Sequence, residues 1–313
     1  MSAFWRWWDR FWFARFDPLP AAVYRIFLGS LITVMYVALY PNWQRFYAAD
    51  GMISLSNAGS AWMRPDPWSA FYWTDGIFNP QWYWYLGFVA ALAFTFGFLT
   101  RVSTIVLYVL EVSMIHRNPA VVNGEDLVFR MLLFYSCFAP LGYCLSVDNW
   151  LRRKRHPTSG EQARPLPRTW PIRLIQVNVC LIYLTAVIYR LTDPAGEWIR
   201  GDAIYWSMMS NLWSRCPWPQ LFYGRGGLLL SQVITYSTLV IEFSFAILVW
   251  FRRPRPYVLA AITCLQIGIA ILIPNVTFFT LAMVCAFWVY VPASDLREWI
   301  TTLRILPHGI QCM

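Results

Sequence analysis

The chain has 313 residues, of which 58% are hydrophobic and only 13% are charged. Soluble globular domains carry about 25% charged residues, and the mean hydropathy of this chain is +0.44. This composition excludes a disordered chain, a fibrous repeat, a disulfide-stapled secreted domain and a nucleic-acid-binding protein. The net charge of +9 comes from basic side chains in short loops between apolar runs, where positive charge orients a membrane protein.

The cysteines and histidines form no recognisable metal-binding motif. The seven cysteines contain no C-x-x-C pair, and the three histidines form no H-E-x-x-H motif. That spacing is typical neither of a disulfide framework nor of a zinc site. We therefore expect no bound metal.

The first segment, residues 4–16, combines many Trp and Phe residues with Arg6, Arg10 and Arg15. A cleavable signal peptide has a smooth apolar core, which this segment lacks. Interleaved aromatic and basic residues are typical of a helix that lies in the plane of the membrane interface. We predict such an interfacial amphipathic helix over residues 4–16.

Apolar runs long enough to cross a bilayer follow in chain order. A bilayer core of about 30 Å requires about 20 helical residues. The predicted spans cover residues 21–40, 82–100, 102–116, 127–147, 174–189 and 227–251, and two more come from the run 257–291, which breaks at Pro274-Asn275. The sequence therefore predicts an all-α, polytopic integral membrane bundle of about eight transmembrane helices, folded as a single membrane domain over residues 1–313.

Loop charges predict the orientation of this bundle. Basic residues concentrate on alternate loops, above all in the proline-containing linker 152–173, whereas loops 41–81 and 192–226 mix both signs. By the positive-inside rule the basic linker and both termini are cytoplasmic, and the two mixed loops are external. We expect a bacterial plasma membrane protein whose partners include membrane lipids but no nucleic acid. No internal repeat is visible, which disfavours a transporter.

The densest polar group lies between the third and fourth predicted spans. Pro119 ends one helix, and Asn123-Gly124 is a turn signal before the next. The candidate residues in this group are His116, Arg117, Asn118, Asn123, Asp126 and Arg130. Asp126 falls near a helix N-terminus, where a carboxylate is favoured.

Two interpretations of this group stay open. In the first, Asp126 is a cap that also forms an ion pair with Arg130, one turn further along the helix. In the second, His116 transfers protons near neutral pH beside Asp126. Arg117, Asn118 and Asn123 would then orient a substrate or a developing anion.

Acidic residues inside the predicted spans are costly and require a partner or a function. We expect Glu111 to pair with Arg25 or Arg130. Glu242 lies in the middle of an apolar span, so it is either a proton carrier or the partner of a cation such as Arg190.

Three more polar or aromatic residues in or next to the predicted spans need an interpretation. Arg190 ends the fifth span and is followed by Trp198, so it either extends toward the interface or contacts a substrate. Gln266 is isolated in an uncharged helix and most simply hydrogen-bonds a neighbouring helix.

Six stretches, taken in order, resemble the horizontally transferred transmembrane (HTTM) family, the bacterial relatives of the vitamin K-dependent γ-carboxylase membrane domain. They are Asp17-Pro18 through Arg25 and Gly29, Tyr47 to Gly51, His116-Arg117-Asn118-Pro119 with Asn123-Gly124 and Asp126, Ser146-Val147-Asp148, Gln176 through Tyr183 to Trp198 and Gly201, and Glu242. The similarity covers about residues 5–292.

The resemblance implies a polytopic helical membrane protein and, as a cofactor, a reduced quinone. In carboxylases of this superfamily a lysine-dependent base activates the quinone, the activated species removes a proton from a peptide glutamate, and carbon dioxide adds. Other relatives act in the maturation of exported proteins or peptides. The position of the basic lysine is Arg190 here, and a family histidine is replaced by Gln266. Arginine stays protonated in proteins, so it can bind an anion but is a poor base.

The sequence thus leads to two functional hypotheses. The first is a membrane enzyme that modifies a peptide or lipid-soluble substrate at the external face by proton abstraction, with His116 and Asp126 as catalytic residues. Its substrate-binding residues would be Arg117, Asn118, Asn123, Arg130, Arg190, Trp198 and Glu242. The alternative is a non-catalytic maturation or partner protein for an exported peptide or protein. A transporter comes third.

Overall fold

The computed structural model describes residues 2–54, 57, 68–74, 77–155, 165–210, 214–215 and 219–302. Within these residues the regular structure is helical, and the β pairing is limited to one isolated bridge between Arg15 and Arg168. The chain divides into two compact units. We refer to Met1–Leu174 with Val291–Met313 as the N-terminal unit and to Ile175–Tyr290 as the central unit.

The described helices follow one another in chain order. They are α1 (Ala3–Phe13), α2 (Leu19–Leu39), α3 (Trp43–Tyr47), α4 (Ala70–Trp73), α5 (Gln81–Phe96), α6 (Thr100–Arg117), α7 (Gly124–Ser136), α8 (Val147–Arg155), α9 (Trp170–Thr192), α10 (Glu197–Arg200), α11 (Ala203–Met209), α12 (Gly224–Leu248), α13 (Arg255–Leu272), α14 (Thr277–Phe287) and α15 (Ala293–Thr302). Short 3₁₀ turns occupy Tyr40–Asn42, Pro119–Val121, Pro219–Phe222, Pro274–Val276 and Trp288–Tyr290.

Several of these helices can cross a membrane. Four segments of the described chain are long and apolar enough: Leu19–Tyr47, Trp170–Thr192, Gly224–Leu248 and Arg255–Leu272. A fifth is added if the broken pair Pro274–Tyr290 and Ala293–Trp299 is counted as one span. The architecture is therefore that of an all-helical protein consistent with integral membrane insertion. The predicted break at Pro274-Asn275 is confirmed, because α13 ends at Leu272 and α14 begins at Thr277.

The fourth predicted span, 127–147, is wrong in its second half. Helix α7 ends at Ser136, and residues 137–146 are not helical. The buried guanidinium of Arg25 donates hydrogen bonds to the carbonyls of Leu141 (2.6 Å), Cys144 (3.4 Å) and Leu145. Because a side chain satisfies these carbonyls, this apolar segment can leave the helix without losing its hydrogen bonds.

Helix α1 confirms a helix at the N-terminus, although it ends at Phe13 rather than residue 16. None of its side chains is buried. Its C-terminal end is tied to the start of α9, because the Thr169 hydroxyl donates to the Trp12 carbonyl at 2.9 Å and Arg173 lies 4.6 Å from the Phe11 ring centroid.

The predicted loops contain short helices. Loop 41–81 includes α3 and α4, loop 192–226 includes α10 and α11, and the basic linker 152–173 begins inside α8. The centre of that linker, residues 156–164, lies outside the described residues, as do Arg64, Asp66 and Asp75. Cys144 is disulfide-bonded, which the cysteine spacing did not predict.

An aromatic cluster forms the core of the central unit. Phe245 lies 5.1 Å from Tyr183, 5.3 Å from Phe287 and 5.5 Å from Tyr290, measured between ring centroids. The Tyr290 hydroxyl donates to the Gln176 carbonyl at 2.5 Å. These contacts fix α9 against α12 and α14, and thereby position the polar residues that lie further along α9.

Candidate functional site

His116 lies in the last turn of α6, in the N-terminal unit. Its Nδ1 is 2.6 Å from the Trp68 carbonyl oxygen, and the Tyr72 hydroxyl donates to the His116 carbonyl at 2.9 Å. Since a carbonyl only accepts, this contact assigns the proton of the neutral ring to Nδ1 and the lone pair to Nε2.

Arg117 and Asn118, which follow directly, are fully buried. Arg117 donates to the Ala48 carbonyl, and Asn118 Nδ2 donates to the Phe46 carbonyl at 2.9 Å. The Asn118 side-chain oxygen accepts from the Ala120 N–H at 3.1 Å. Both side chains thus bind main-chain groups, and Arg117 also lines a cavity of about 310 Å³.

Asn123 and Asp126 form the N-terminus of α7. The Asp126 carboxylate accepts from the Asn123 backbone N–H at 2.7 Å, which is the acidic half of a capping box. The predicted cap is confirmed. The predicted ion pair with Arg130 is wrong, because the ion pairs of the described residues do not include it.

The carboxyl groups around this cap have altered acidity. Burial raises the pKa of Asp126 to about 6, opposed by the hydrogen bond from Asn123 and reinforced by the charge of Glu125. Burial also raises the pKa of Glu125. A carboxyl group that titrates near pH 6 can exchange protons under nearly neutral conditions.

Glu111 lies deeper in the same unit. Its side chain is buried, and its Oε1 has no hydrogen-bond partner among the described residues. The expected pairing with Arg25 is wrong, because Arg25 binds carbonyl groups instead. Arg130 makes no direct ion pair with Glu111 in the described chain, although its charge acts on the Glu111 carboxyl group.

In the central unit, Arg190 near the end of α9 binds Glu242 in the middle of α12. The guanidinium donates to the Glu242 carboxylate and lies 4.3 Å from the ring centroid of Trp198. The Glu242 side chain is 3% exposed, whereas that of Arg190 is 24% exposed. Of the two alternatives left open for Glu242, the structure shows the one in which it is paired with Arg190.

The chain between α9 and α12 explains how Trp198 reaches this pair. Helix α9 ends at Thr192, two residues before Pro194, because a proline disfavours the helical conformation in the residue that precedes it. Gly196 then adopts a left-handed φ of 65°, which glycine tolerates. Short helix α10 then presents Trp198. It is held to α12 by the Tyr236 hydroxyl, which donates to the Ile199 carbonyl at 2.8 Å.

The ion pair lines a cavity of about 470 Å³ within the central unit. Most side chains around it are apolar. The polar and aromatic residues among them include Tyr183, Arg190, Trp198, Glu242, Cys264 and Gln266. The arrangement is therefore an apolar chamber with one charged wall, which suits an amphipathic molecule.

The sequence did not indicate that Tyr183 and Gln266 line this cavity. Gln266 donates through Nε2 to the Tyr183 hydroxyl at 2.7 Å, so the predicted hydrogen bond between neighbouring helices is confirmed. Their position in the cavity wall was not foreseen. The available signal was the single amide in an otherwise uncharged helix, an expensive residue at membrane depth.

The predicted site residues thus fall into two groups. Arg190, Trp198 and Glu242 come together in the central unit. The other six, His116, Arg117, Asn118, Asn123, Asp126 and Arg130, lie along the turn from α6 to α7 in the N-terminal unit. Among the described residues, no three His, Cys, Asp or Glu side chains are placed to hold a metal ion.

Comparison with known proteins gave no match: no family model fits the chain, no curated protein is similar to it, and no solved structure resembles it.

Proposed function

We propose that this protein is a membrane-embedded enzyme that binds a lipid-soluble substrate in the cavity of the central unit. The observation that carries the proposal is the Arg190–Glu242 ion pair, which lines an apolar cavity. The reaction class is proton abstraction from the bound substrate or from an exported peptide.

The energetic cost of the ion pair supports a functional role. Removing two charges from water costs free energy, and the attraction between the charges often does not repay that cost. An apolar pair of the same size at the same position is often equally or more stable, so a buried ion pair is weak evidence for stability. Ionisable residues at membrane depth are typical of substrate and proton pathways. The Arg190 side chain is partly exposed and lines the cavity, so it is accessible to a ligand there.

The residues take distinct roles in this proposal. Arg190, held by Trp198, binds an anionic or carbonyl oxygen of the substrate, since arginine donates strongly and stays charged. Glu242 keeps that guanidinium in place. His116 and Asp126 belong to the N-terminal unit and are not among the residues that line this cavity. They are proposed separately as proton-transfer residues of that unit, supported by the raised pKa of Asp126, about 6.

A reduced quinone, which the family resemblance implies, fits the donor set of the cavity. Apolar walls suit a prenyl tail, and the guanidinium of Arg190 beside the Trp198 ring suits a flat ring that bears oxygen. When bound, such a group would supply the strong base that arginine cannot provide. Arg190 and Trp198 would orient it.

The proposal includes the full membrane topology. It places about eight transmembrane helices in a bacterial plasma membrane, with both termini in the cytoplasm and loops 41–81 and 192–226 outside. Helices α5 and α6, with 16 and 18 residues, supply two of these spans in addition to the candidates above.

A specific observation favours a second function, a non-catalytic maturation or partner protein. Arg117, Asn118 and Asp126 all bind main-chain groups. Side chains used in this way stabilise a turn and need not contact a substrate.

Mass spectrometry of exported peptides and extracted lipids tests the enzyme proposal. Cells with the protein should contain a modified species, such as a peptide that has gained one carboxyl group, which cells without the protein lack. The double variant Arg190→Gln/Glu242→Gln removes both charges but can still form a hydrogen bond, and it should lose the product. The matched control is Val240→Ala, on the same helix and 63% exposed. Equal product from the double variant at equal membrane abundance would overturn the proposal.

His116 variants separate the two functions. If His116 transfers a proton, His116→Ala should abolish the product while membrane insertion and thermal stability stay unchanged. A fully active or an unfolded His116→Ala protein would remove His116 from the mechanism. In a non-catalytic protein, His116→Gln should be tolerated.

A further inference from the structure

We propose that Gln266 and Tyr183 form a second polar contact in the cavity of the central unit, which selects lipid-soluble ligands that carry a hydroxyl group. This inference rests on the proposed function, because it concerns the same cavity. It adds the chemical class of the ligand and a residue that determines specificity.

Gln266 lies in the middle of α13 and is only 2% exposed. Its Nε2 donates to the Tyr183 hydroxyl, whereas its Oε1 is buried without a hydrogen-bond partner among the described residues. Buried polar atoms are almost always paired, so an exception needs an explanation. A ligand that is not part of the chain is one such explanation.

The position of Gln266 limits what this missing partner can be. Lipid offers no donor to a buried amide oxygen at membrane depth. Gln266 lines the cavity, so the partner within reach is a molecule that occupies the cavity. An amide oxygen only accepts, and the partner must therefore carry an O–H or N–H group.

A hydroxyl group satisfies both residues of the contact. The Tyr183 hydroxyl accepts from Gln266, which leaves its own proton to be donated. A ligand hydroxyl can donate to Gln266 Oε1 and accept that proton from Tyr183. Tyr183 and Gln266 line the same cavity as Arg190 and Glu242, so one ligand in this cavity can contact both polar groups.

The rest of the ligand is apolar. The other walls of the cavity are formed mainly by aliphatic and aromatic side chains, such as Ile182, Ile269 and Phe279. An alcohol or phenol with a long hydrocarbon chain matches this combination. An ether of the same length matches the walls but cannot donate to Gln266.

Alkylation of Cys264 measures whether a ligand occupies the cavity. Cys264 is a free, exposed thiol that lines the same cavity two residues before Gln266. The full-length protein in detergent is treated with a maleimide in the presence of farnesol or farnesyl methyl ether, and alkylation of the Cys264 peptide is measured by mass spectrometry. We expect farnesol to protect Cys264 at about tenfold lower concentration than the ether, the ratio typical of one net hydrogen bond.

Gln266→Met keeps the length of the side chain and removes the acceptor, so it should abolish this tenfold preference. Ile267→Ala, at an exposed position beside it, is the control and should retain the preference. Because the readout is the ratio of two probes on one protein, a general loss of stability does not imitate the result. Tyr183→Phe removes a donor from which both probes can accept, so it should weaken protection by both and leave the preference in place.

The outcomes distinguish this inference from the function on which it rests. Equal protection by the alcohol and the ether in the wild-type protein, or a preference that persists in Gln266→Met, would overturn the role of Gln266 and leave ligand binding in the cavity intact. Protection by neither probe would overturn binding in the cavity itself.

Discussion

The two units differ in the groups that their arginines bind. In the N-terminal unit, Arg25, Arg117 and Asn118 donate to main-chain carbonyls. In the central unit, Arg190 binds another side chain, Glu242, and both line a cavity. The first arrangement stabilises irregular backbone, and the second places a charged pair in the wall of a cavity.

This difference shows that a charged residue in an apolar segment does not by itself mark a binding site. The group that the charged residue binds decides whether it can also bind a ligand, because a backbone carbonyl cannot be exchanged for a ligand without disrupting the fold. A charged side-chain partner can share its cation with a ligand. The comparison leads to three predictions, in order of decreasing effect.

Arg25→Met should lower the free energy of unfolding by about 4 kcal/mol, because several buried carbonyls lose their donor at once. Thermal unfolding of the detergent-purified protein measures the effect. The control is Val34→Ala on the same helix, where the side chain is 56% exposed and the loss should be small. If the two variants unfold alike, the carbonyls bound by Arg25 do not depend on it.

Arg190→Met should cost about 3 kcal/mol, because Glu242 is left buried and unpaired. The double variant Arg190→Met/Glu242→Leu should recover most of that stability, since replacing a buried ion pair by apolar residues is often neutral. It should also lose protection of Cys264 by farnesol. A double variant less stable than the single one would show that the pair is mainly structural, like the cations of the N-terminal unit.

Asp126 should make stability depend weakly on pH. Burial raises its pKa from 3.8 to about 6 in the folded protein, so the folded state retains the proton more tightly than the unfolded chain. The contribution of Asp126 to stability is therefore greatest below about pH 4 and falls as the pH rises through about 6, by about 1 kcal/mol for a partly exposed group. Asp126→Asn should remove this part of the pH dependence of the unfolding temperature. An unchanged profile in Asp126→Asn would assign the slope to other groups.

Local features of the sequence were sufficient for much of the fold. The apolar runs located α2, α9, α12 and α13, and the Pro274-Asn275 pair located the break that follows. The cap at Asp126 was also predictable. In each case the determining interaction lies within one helix or one turn.

Features that depend on distant residues were not predictable. Residues 127–147 look like one span, yet α7 ends at Ser136 because Arg25, more than a hundred residues earlier in the chain, satisfies the carbonyls beyond it. For the same reason, the sequence left open whether Glu242 is a proton carrier or the partner of a cation such as Arg190. Hydrophobic periodicity carries no information about which distant side chain approaches a given helix.

The attachment of α1 has a consequence for biosynthesis. Trp12 is held by Thr169, which lies 157 residues further along the chain. At 5–20 residues per second, the ribosome needs roughly 8–30 s to produce that second partner. During this interval the aromatic helix α1 has been synthesised but its anchor has not, so the contact between them forms only after the segments in between have been made.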